Sequence, residues 1–337
     1  MQRRLPVYLL LDCSESMAGF PLEAVEAGTR SMLSALQRNP YALETVKLSI
    51  ITFAAKARQL MPLSEVSSVT LPKLTIRPGT CLGQALDVLC DCMKHEVIAT
   101  TADQKGDYRP LVFILTDGRP TDEWEQAADR LKKFRPSPAS IYTIGCGIDV
   151  DFSILGKIGD HCIHMRSLAP ESFADFFVWM SASVQSMSVA REDKVSLEKI
   201  PLKEGMSFVD HTNLPPSITN PQRLFFHVCC RSTEKHYMIR YVFEPSVECY
   251  CAEDALPLPE DFFSDGSLKS PGVSSDLLYG SQDCPYCNNP FWVQCGKCNS
   301  LFCMEENFNE PDILCPVCKS LLSAGSGGTF NIESSLG

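Results

Sequence analysis

The chain has 337 residues, with 30 Lys+Arg against 41 Asp+Glu for a net charge of −11, and is 45% hydrophobic and 21% charged. That balance excludes wholesale disorder and a general electrostatic grip on nucleic acid or anionic lipid, and the length suits about two domains. No apolar run, Leu5 to Leu11 included, approaches the roughly 18–20 residues that span a bilayer, and the N-terminal arginines lead to no small-x-small cleavage site, so a cytoplasmic protein away from the membrane is expected.

Residues 1–188 alternate strand and helix. Pro6 to Asp12 is a continuous apolar run ending in polar residues, the pattern of a strand buried on both faces. Pro21 to Arg38 follows as a helix with Leu22, Val25, Thr29, Met32, Leu33 and Leu36 on one stripe. Thr45 to Leu60 reads as strand turning near Ala55, and Cys81 to Val97 as helix. Leu111 to Leu115 is a second buried strand, running into Thr-Asp-Gly. Asp122 to Phe134 is helical, Ile141 to Ile144 a strand, Asp151 to Ile158 a short helix, Cys162 to Met165 a strand and Pro170 to Val189 a helix. This alternation predicts an α/β fold with a doubly wound, mostly parallel sheet, whose ligand site lies beyond the carboxyl ends of the strands.

Residues 189–260 change character. Leu224 to Cys230 and Tyr237 to Phe243 are β-rich and joined by a polar turn, as in a small β unit. Residues 261–283 read as a linker. Residues 284–319 hold a cysteine cluster, and residues 320–337 form a Gly/Ser-rich tail expected to be flexible.

Asp12-Cys-Ser14-Glu-Ser16 follows the first strand directly. Carboxylates and hydroxyls are hard oxygen ligands suited to Mg²⁺, or to Ca²⁺ or Mn²⁺ in its place. Thr80, in Arg-Pro-Gly-Thr before a helix, and Asp117, in Thr-Asp-Gly after the Leu111 strand, fall on loops at the same sheet edge. Alone, an Asp-x-Ser-x-Ser triplet is as well explained by turns and helix caps; the five positions together are not. Capping is the reading for nearby Asp122, Glu123 and Gly118.

These five positions resemble the metal-ion-dependent adhesion site of von Willebrand factor A (VWA) domains, over residues 1–188. The resemblance implies that Ser14, Ser16 and Thr80 touch the metal, and that Asp12 and Asp117 act through water or behind it. It also implies one open coordination position that takes an oxygen from a partner protein.

Seven of the 17 cysteines crowd into residues 284–318. Cys284-Pro-Tyr-Cys287, Cys295-Gly-Lys-Cys298, Cys303 and Cys315-Pro-Val-Cys318 are spaced as zinc knuckles, and so short a segment needs a metal as its staple. A run of redox dithiols is the alternative, without its usual βαβ context. The two Cys-Pro-x-Cys knuckles are the most alike, and pairing them gives a zinc ribbon held by Cys284, Cys287, Cys315 and Cys318. Cys295, Cys298 and Cys303 are left for a second zinc site with an outside ligand, for packing, or as a competing knuckle. Tyr286, Phe291, Trp292, Phe302 and Phe308 read as the mini-core. Lys297 is the single basic residue against Glu305, Glu306, Glu310 and Asp312, which argues against nucleic acid.

A VWA domain followed by such a ribbon resembles the TerY-like proteins of bacterial tellurium-resistance systems. That resemblance implies a cytoplasmic, metal-dependent interaction scaffold in chemical-stress response, with Ser/Thr protein kinase and PP2C-type phosphatase partners. No catalytic residue is expected. His95, His161, His164, His211, His227 and His236 form no metalloprotease-type spacing, and neither a phosphate loop nor a nucleophile elbow is present. A Mg²⁺-dependent phosphohydrolase is the alternative, and it lacks an evident base.

Overall fold

Leu5–Asp12 forms β1, and all eight of its residues are buried because other strands flank it on both sides and helices cover both faces. In the computed structural model, the described residues are 3–134, 139–148, 150–190, 200–210, 222–265, 272–305, 312–323 and 329–333. They fall into two units, Met1–Thr75 with Thr80–Ile218, and Ile76–Gly79 with Thr219–Gly337.

In the first unit β1 leads through a 3-10 turn, Glu15–Met17, into α1 (Phe20–Arg38) and α2 (Pro40–Thr45). Gly19 takes φ 81° to make that entry, a conformation that favours glycine, and Pro21 sits in the first turn of α1 where no amide is needed. Asn39 ends α1 and caps α2, its side chain accepting the amides of Tyr41 and Ala42. Then follow β2 (Val46–Phe53), β3 (Ala57–Glu65), α3 (Leu82–Glu96), β4 (Leu111–Thr116), α4 (Glu125–Lys132), β5 (Ser140–Cys146), α5 (Phe152–Ile158), β6 (His161–Met165), α6 (Pro170–Ala190) and β7 (Met206–Val209).

The sheet order is β3-β2-β1-β4-β5-β6-β7. β1 pairs in parallel with β2 and β4, and β4–β5 and β5–β6 are also parallel, whereas β3 and β7 are antiparallel edges. Strand order therefore reverses at β1/β4, and the carboxyl ends of those two strands carry Asp12 and Asp117. This is the crevice where an open α/β sheet binds its ligand. One face packs Tyr8, Leu10, Val112 and Ile114 against α3 and α4. On α1, a Cβ at Gly28 would come within 2.0 Å of the Phe177 ring of α6, so glycine sets the approach of those helices. The doubly wound sheet agrees with the sequence reading. β7 extends the unit past the expected boundary at 188, since a four-residue edge strand carries too short a period to read.

In the second unit one six-stranded sheet has the order β12-β10-β9-β8-β14-β13. Its strands are β8 (Arg223–Cys229), β9 (His236–Glu244), β10 (Cys249–Pro257), β12 (Leu278–Tyr279), β13 (Phe291–Gln294) and β14 (Leu301–Met304). The β-rich segment, the expected linker and the cysteine segment thus share one sheet. β11 (Gly272–Ser274) pairs with β17 (Asn331–Glu333), and β15 (Asp312–Leu314) with β16 (Leu321–Ser323), so the expected linker and tail both hold paired strands. Strands of two to four residues that pair across long sequence separations leave no local signal. The rest of the expected tail, residues 324–328 and 334–337, lies outside the described residues, as do His211, Glu306, Phe308 and Glu310. No helix among the described residues is long and apolar enough to cross a membrane.

Candidate metal-binding sites

Four of the five acidic-hydroxyl residues join in one hydrogen-bonded cluster. The Asp12 carboxylate accepts the Ser14 amide at 2.9 Å, and the Thr116 hydroxyl donates to its other oxygen. The Ser14 and Ser16 hydroxyls are 2.9 Å apart, and the Ser16 hydroxyl donates to Asp117 at 2.5 Å. Thr80 completes the set on the loop before α3. All five residues are at most 2% exposed, so their oxygens are shielded from bulk water.

The loops are tied together by backbone. The Cys13 amide donates to Phe53 at the end of β2, which holds the Asp-x-Ser-x-Ser loop over the sheet edge. The Thr80 amide donates to the Thr121 hydroxyl, and the Thr121 amide donates back to the Thr80 carbonyl, both at 2.9 Å. Asp122 caps α3 from outside, accepting the amides of Gly83 at 3.0 Å and Gln84 at 2.9 Å. The Thr80 loop and the loop after Asp117 are therefore fastened to each other. Capping is what the sequence suggested for Asp122, although the helix capped is α3. Thr116 and Thr121 were missed, because a lone threonine beside an aspartate carries no spacing signal.

Two carboxylates, Asp12 and Asp117, stand close enough to repel each other. Burial, and then the charge of Asp117, push the Asp12 carboxyl above the ordinary carboxylate range, against hydrogen bonds from Ser14 and Thr116 that lower it. The field reaches further: the thiol of Cys146 is pushed up by burial first and then by Asp117 and Asp12, and that of Cys13 by burial and then Asp12. Hard oxygen donors and two crowded carboxylates fit a divalent cation, whose charge would balance the two acids. The three hydroxyls with Asp12 and Asp117 are the residues that would hold it. Such an ion supplies an electrophilic point for an incoming anionic oxygen.

The sequence profile of the von Willebrand factor type A domain matches residues 7–177, half of the chain. The chain belongs to the von Willebrand factor type A domain family. No match to a curated protein was found. Among solved structures, a von Willebrand factor type A protein from Catenulispora acidiphila is 18% identical with a TM-score of 0.42, over 54% of this chain and 43% of that one. The PilB minor pilin of Streptococcus sanguinis is 13% identical with a TM-score of 0.41, over 56% and 63%. Proximal thread matrix protein 1 from the mussel byssus, in a form described as having a zinc-occupied adhesion-site motif, is 18% identical with a TM-score of 0.37, over 55% and 46%. This chain spans less than two thirds of each of them. VWA domains are generally interaction modules rather than enzymes, and the acidic-hydroxyl cluster lies within the matched residues.

The cysteines of the second unit converge in two groups of four. Cys284 and Cys287 gather with Cys303 and Cys230, and Cys295 and Cys298 gather with Cys315 and Cys318; within each group all sulfurs lie within 4.8 Å. The pairing drawn from knuckle likeness is thereby corrected: Cys284 and Cys287 do not meet Cys315 and Cys318. Register decides this. β14 pairs with β8, Phe302 opposite Cys229, which brings the next residue, Cys303, to Cys230. Cys230 was missed because it lies 54 residues upstream of Cys284; its one local signal is the polar Arg-Ser-Thr-Glu-Lys turn after it. Tyr286 and Trp292 pack with the first group and Phe302 with the second, as the mini-core reading expects, whereas Phe291 is exposed.

Four of the histidines are placed among rings and backbone. His161 stacks on Tyr142, His164 meets the Gly147 carbonyl and Phe152, and His227 and His236 pack on Phe263. Neither thiol group contains one.

Proposed function

We propose that the protein is a docking module whose VWA domain binds partner proteins through a Mg²⁺ ion held by Asp12, Ser14, Ser16, Thr80 and Asp117. The observation that carries this reading is the closed cluster Asp12–Ser14–Ser16–Asp117 at the β1/β4 reversal. The two acids balance the ion overall, but the three neutral hydroxyls that would touch it leave its charge exposed locally at an open position, so an acidic or phosphorylated side chain of a partner is the favoured last ligand. Ca²⁺ or Mn²⁺ would serve the same donors. The second unit, with its thiol groups, is read as the zinc-holding structural part. An enzymatic role is not favoured, because among the described residues no histidine or second carboxylate pair stands in the cluster as a base.

A cytoplasmic TerY-like role in tellurite or chemical-stress response, with a Ser/Thr kinase and a PP2C-type phosphatase as partners, is supported by domain order alone: a VWA domain followed by a cysteine-rich unit. The corrected thiol grouping departs from the simple ribbon on which that likeness was drawn.

The test is capture of partners from cells by the tagged chain in Mg²⁺ and in EDTA, repeated with Asp117→Ala. Binding lost in EDTA and in the variant is expected. Partners held equally in all conditions would overturn the adhesion-site reading, and turnover of a phosphate ester that needs Asp117 would favour the phosphohydrolase.

A further inference from the structure

Four turns in the second unit share one backbone design. In each, the amide of a cysteine donates to the carbonyl five residues on, and its carbonyl accepts the amide four residues on. The amide distances are 2.9 Å for Cys284, 2.9 Å for Cys295 and 3.0 Å for Cys315, the first residues of the three Cys-x-x-Cys pairs. The fourth is the β8–β9 hairpin turn, where Cys230 donates to Lys235 and Glu234 donates to Cys230, both at 2.8 Å. The residue four on takes positive φ every time: Glu234 58°, Asn288 60°, Asn299 60° and Lys319 58°. Of the five non-glycine residues with positive φ among the described residues, four are these. Glutamate and lysine do not adopt that region without a constraint. Thr233 stands where the second cysteine of the Cys230 turn would be, and Cys303 on β14 supplies the missing sulfur.

We infer that Cys230, Cys284, Cys287 and Cys303 bind a zinc ion, and that Cys295, Cys298, Cys315 and Cys318 bind a second one. The sulfur spacings agree. Cys287 and Cys303 are 3.5 Å apart, Cys295 and Cys318 3.7 Å, and Cys298 and Cys315 3.8 Å. A tetrahedron with Zn–S near 2.3 Å has edges of about 3.8 Å, whereas a disulfide needs about 2.05 Å.

A second observation points to thiolates, and so to a metal, in the Cys230 group. The Tyr237 hydroxyl is buried without a hydrogen-bond partner, in the same core cluster as Cys284 and Cys303. A metal-bound thiolate is the acceptor that such a hydroxyl needs. Cys303 already accepts the Arg231 amide at 3.2 Å and the Asn289 side-chain amide at 3.6 Å. Such N–H donors favour a thiolate over a neutral thiol, whose sulfur is the weaker acceptor.

The ligand order is interleaved: first and third elements of the segment to one ion, second and fourth to the other. Residues 284–318 are then no free-standing ribbon, since one ion needs Cys230 from the hairpin. The two groups also sit in different cores. Cys230, Leu301 and Cys303 pack with Leu224, Phe226 and Tyr237, while Cys229, Phe302 and Met304 pack with Cys295 and Cys315. Successive residues of β8 and β14 alternate faces, so the ions bracket that strand pair.

The test is metal content of the full chain by native mass spectrometry and elemental analysis. Two zinc ions per chain are expected, falling to one in Cys230→Ser and to one in Cys318→Ser, with two retained in Cys230→His. One zinc in the wild type, two in Cys230→Ser, or iron in place of zinc would overturn the assignment. Should Cys230→Ser not fold, thiol labelling of the wild type decides. Cys230 should be protected until a zinc-selective chelator is added, with Cys249 and Cys251 as partly exposed controls. Labelling of Cys230 that ignores the chelator would refute its role.

Discussion

Gly83→Ala sets two known effects against each other at the edge of the metal cluster. Gly83 lies in the first turn of α3, three residues from Thr80. Alanine is the better helix former by about 1 kcal/mol, which alone would stabilise the protein. A Cβ there, however, would come within 2.3 Å of the Glu123 carbonyl oxygen and 2.9 Å of the Trp124 Cα. Both are backbone atoms, so no side chain can rotate away, and the loop after Asp117 has to move. Overpacking of that kind costs about 1–3 kcal/mol, toward the upper end where backbone is displaced. The net expectation is destabilisation by about 1–2 kcal/mol. The displaced segment carries Thr121 and Asp122, which hold Thr80 and the α3 amides. Mg²⁺ affinity should therefore fall as well. Urea unfolding followed by far-UV circular dichroism reads the stability of the first unit, because every α-helix among the described residues lies there. A Mg²⁺ titration of the folded variant reads the affinity. Gly296→Ala is the control, with nothing within 4 Å of the added carbon. A Gly83→Ala protein as stable as the wild type, or more so, would refute the close approach.

Other outcomes follow from single contacts. Ser14→Ala should keep the helical signal but lose thermal stabilisation by Mg²⁺, checked by melting with and without the ion. Thr116→Val removes the hydroxyl that donates to buried Asp12 and should cost about 1–3 kcal/mol in urea unfolding without added metal. Arg4→Met strips Asp107, whose side chain is 3% exposed, of its two guanidinium bonds at 2.8 and 2.6 Å. It should cost about 2–4 kcal/mol, less than a wholly buried pair because Arg4 is part-exposed. Burial, and then His227, hold the His236 imidazole below its ordinary value, so its neutral form is the folded one. Its contribution is complete above about pH 6.5 and is lost as pH falls below that, where the unfolded chain binds the proton more readily. His236→Gln should thus show a smaller drop in melting temperature from pH 7.5 to 5.5 than the wild type, with zinc loss common to both.

The first unit was legible because its elements are long and its chemistry is local. β1 and β4 are unbroken apolar runs that end at Asp12 and Thr116, so the polar residues after them had to sit at the sheet's carboxyl edge. α1, α3 and α6 carry stripes over 15 to 21 residues. What could not be read was which backbone atoms fasten the loops. Thr121 and Asp122 act on Thr80 and α3 through contacts spanning some 40 positions. Nor could β7 be read, since four residues at a sheet edge do not define a period.

The second unit was legible as chemistry and in one hairpin, β8 with β9, whose strands are long enough to read. Cysteine spacing announced knuckles but could not say which knuckles share a metal, because each Cys-x-x-Cys turn is locally the same object. The grouping is decided by strand register. β14 lies parallel to β8, so Cys303 reaches the hairpin cysteine rather than the next knuckle along the chain. β13 turns back antiparallel on β14, Gln294 opposite Leu301, which keeps the Cys295–Ser300 turn between them at one end of that pair. Interleaving follows from this hairpin. A pairing of Cys284 and Cys287 with Cys315 and Cys318 would leave Cys303 facing Cys230 and buried Tyr237 without a metal. The Cys230 turn gave its own hint in the residues that open its positive-φ position, Cys-Arg-Ser-Thr-Glu-Lys, which has the length and polarity of a knuckle and lacks only the second sulfur. A single cysteine followed by such a turn, at the end of a strand and far from a knuckle cluster with an odd count, is therefore the place to look for the missing ligand.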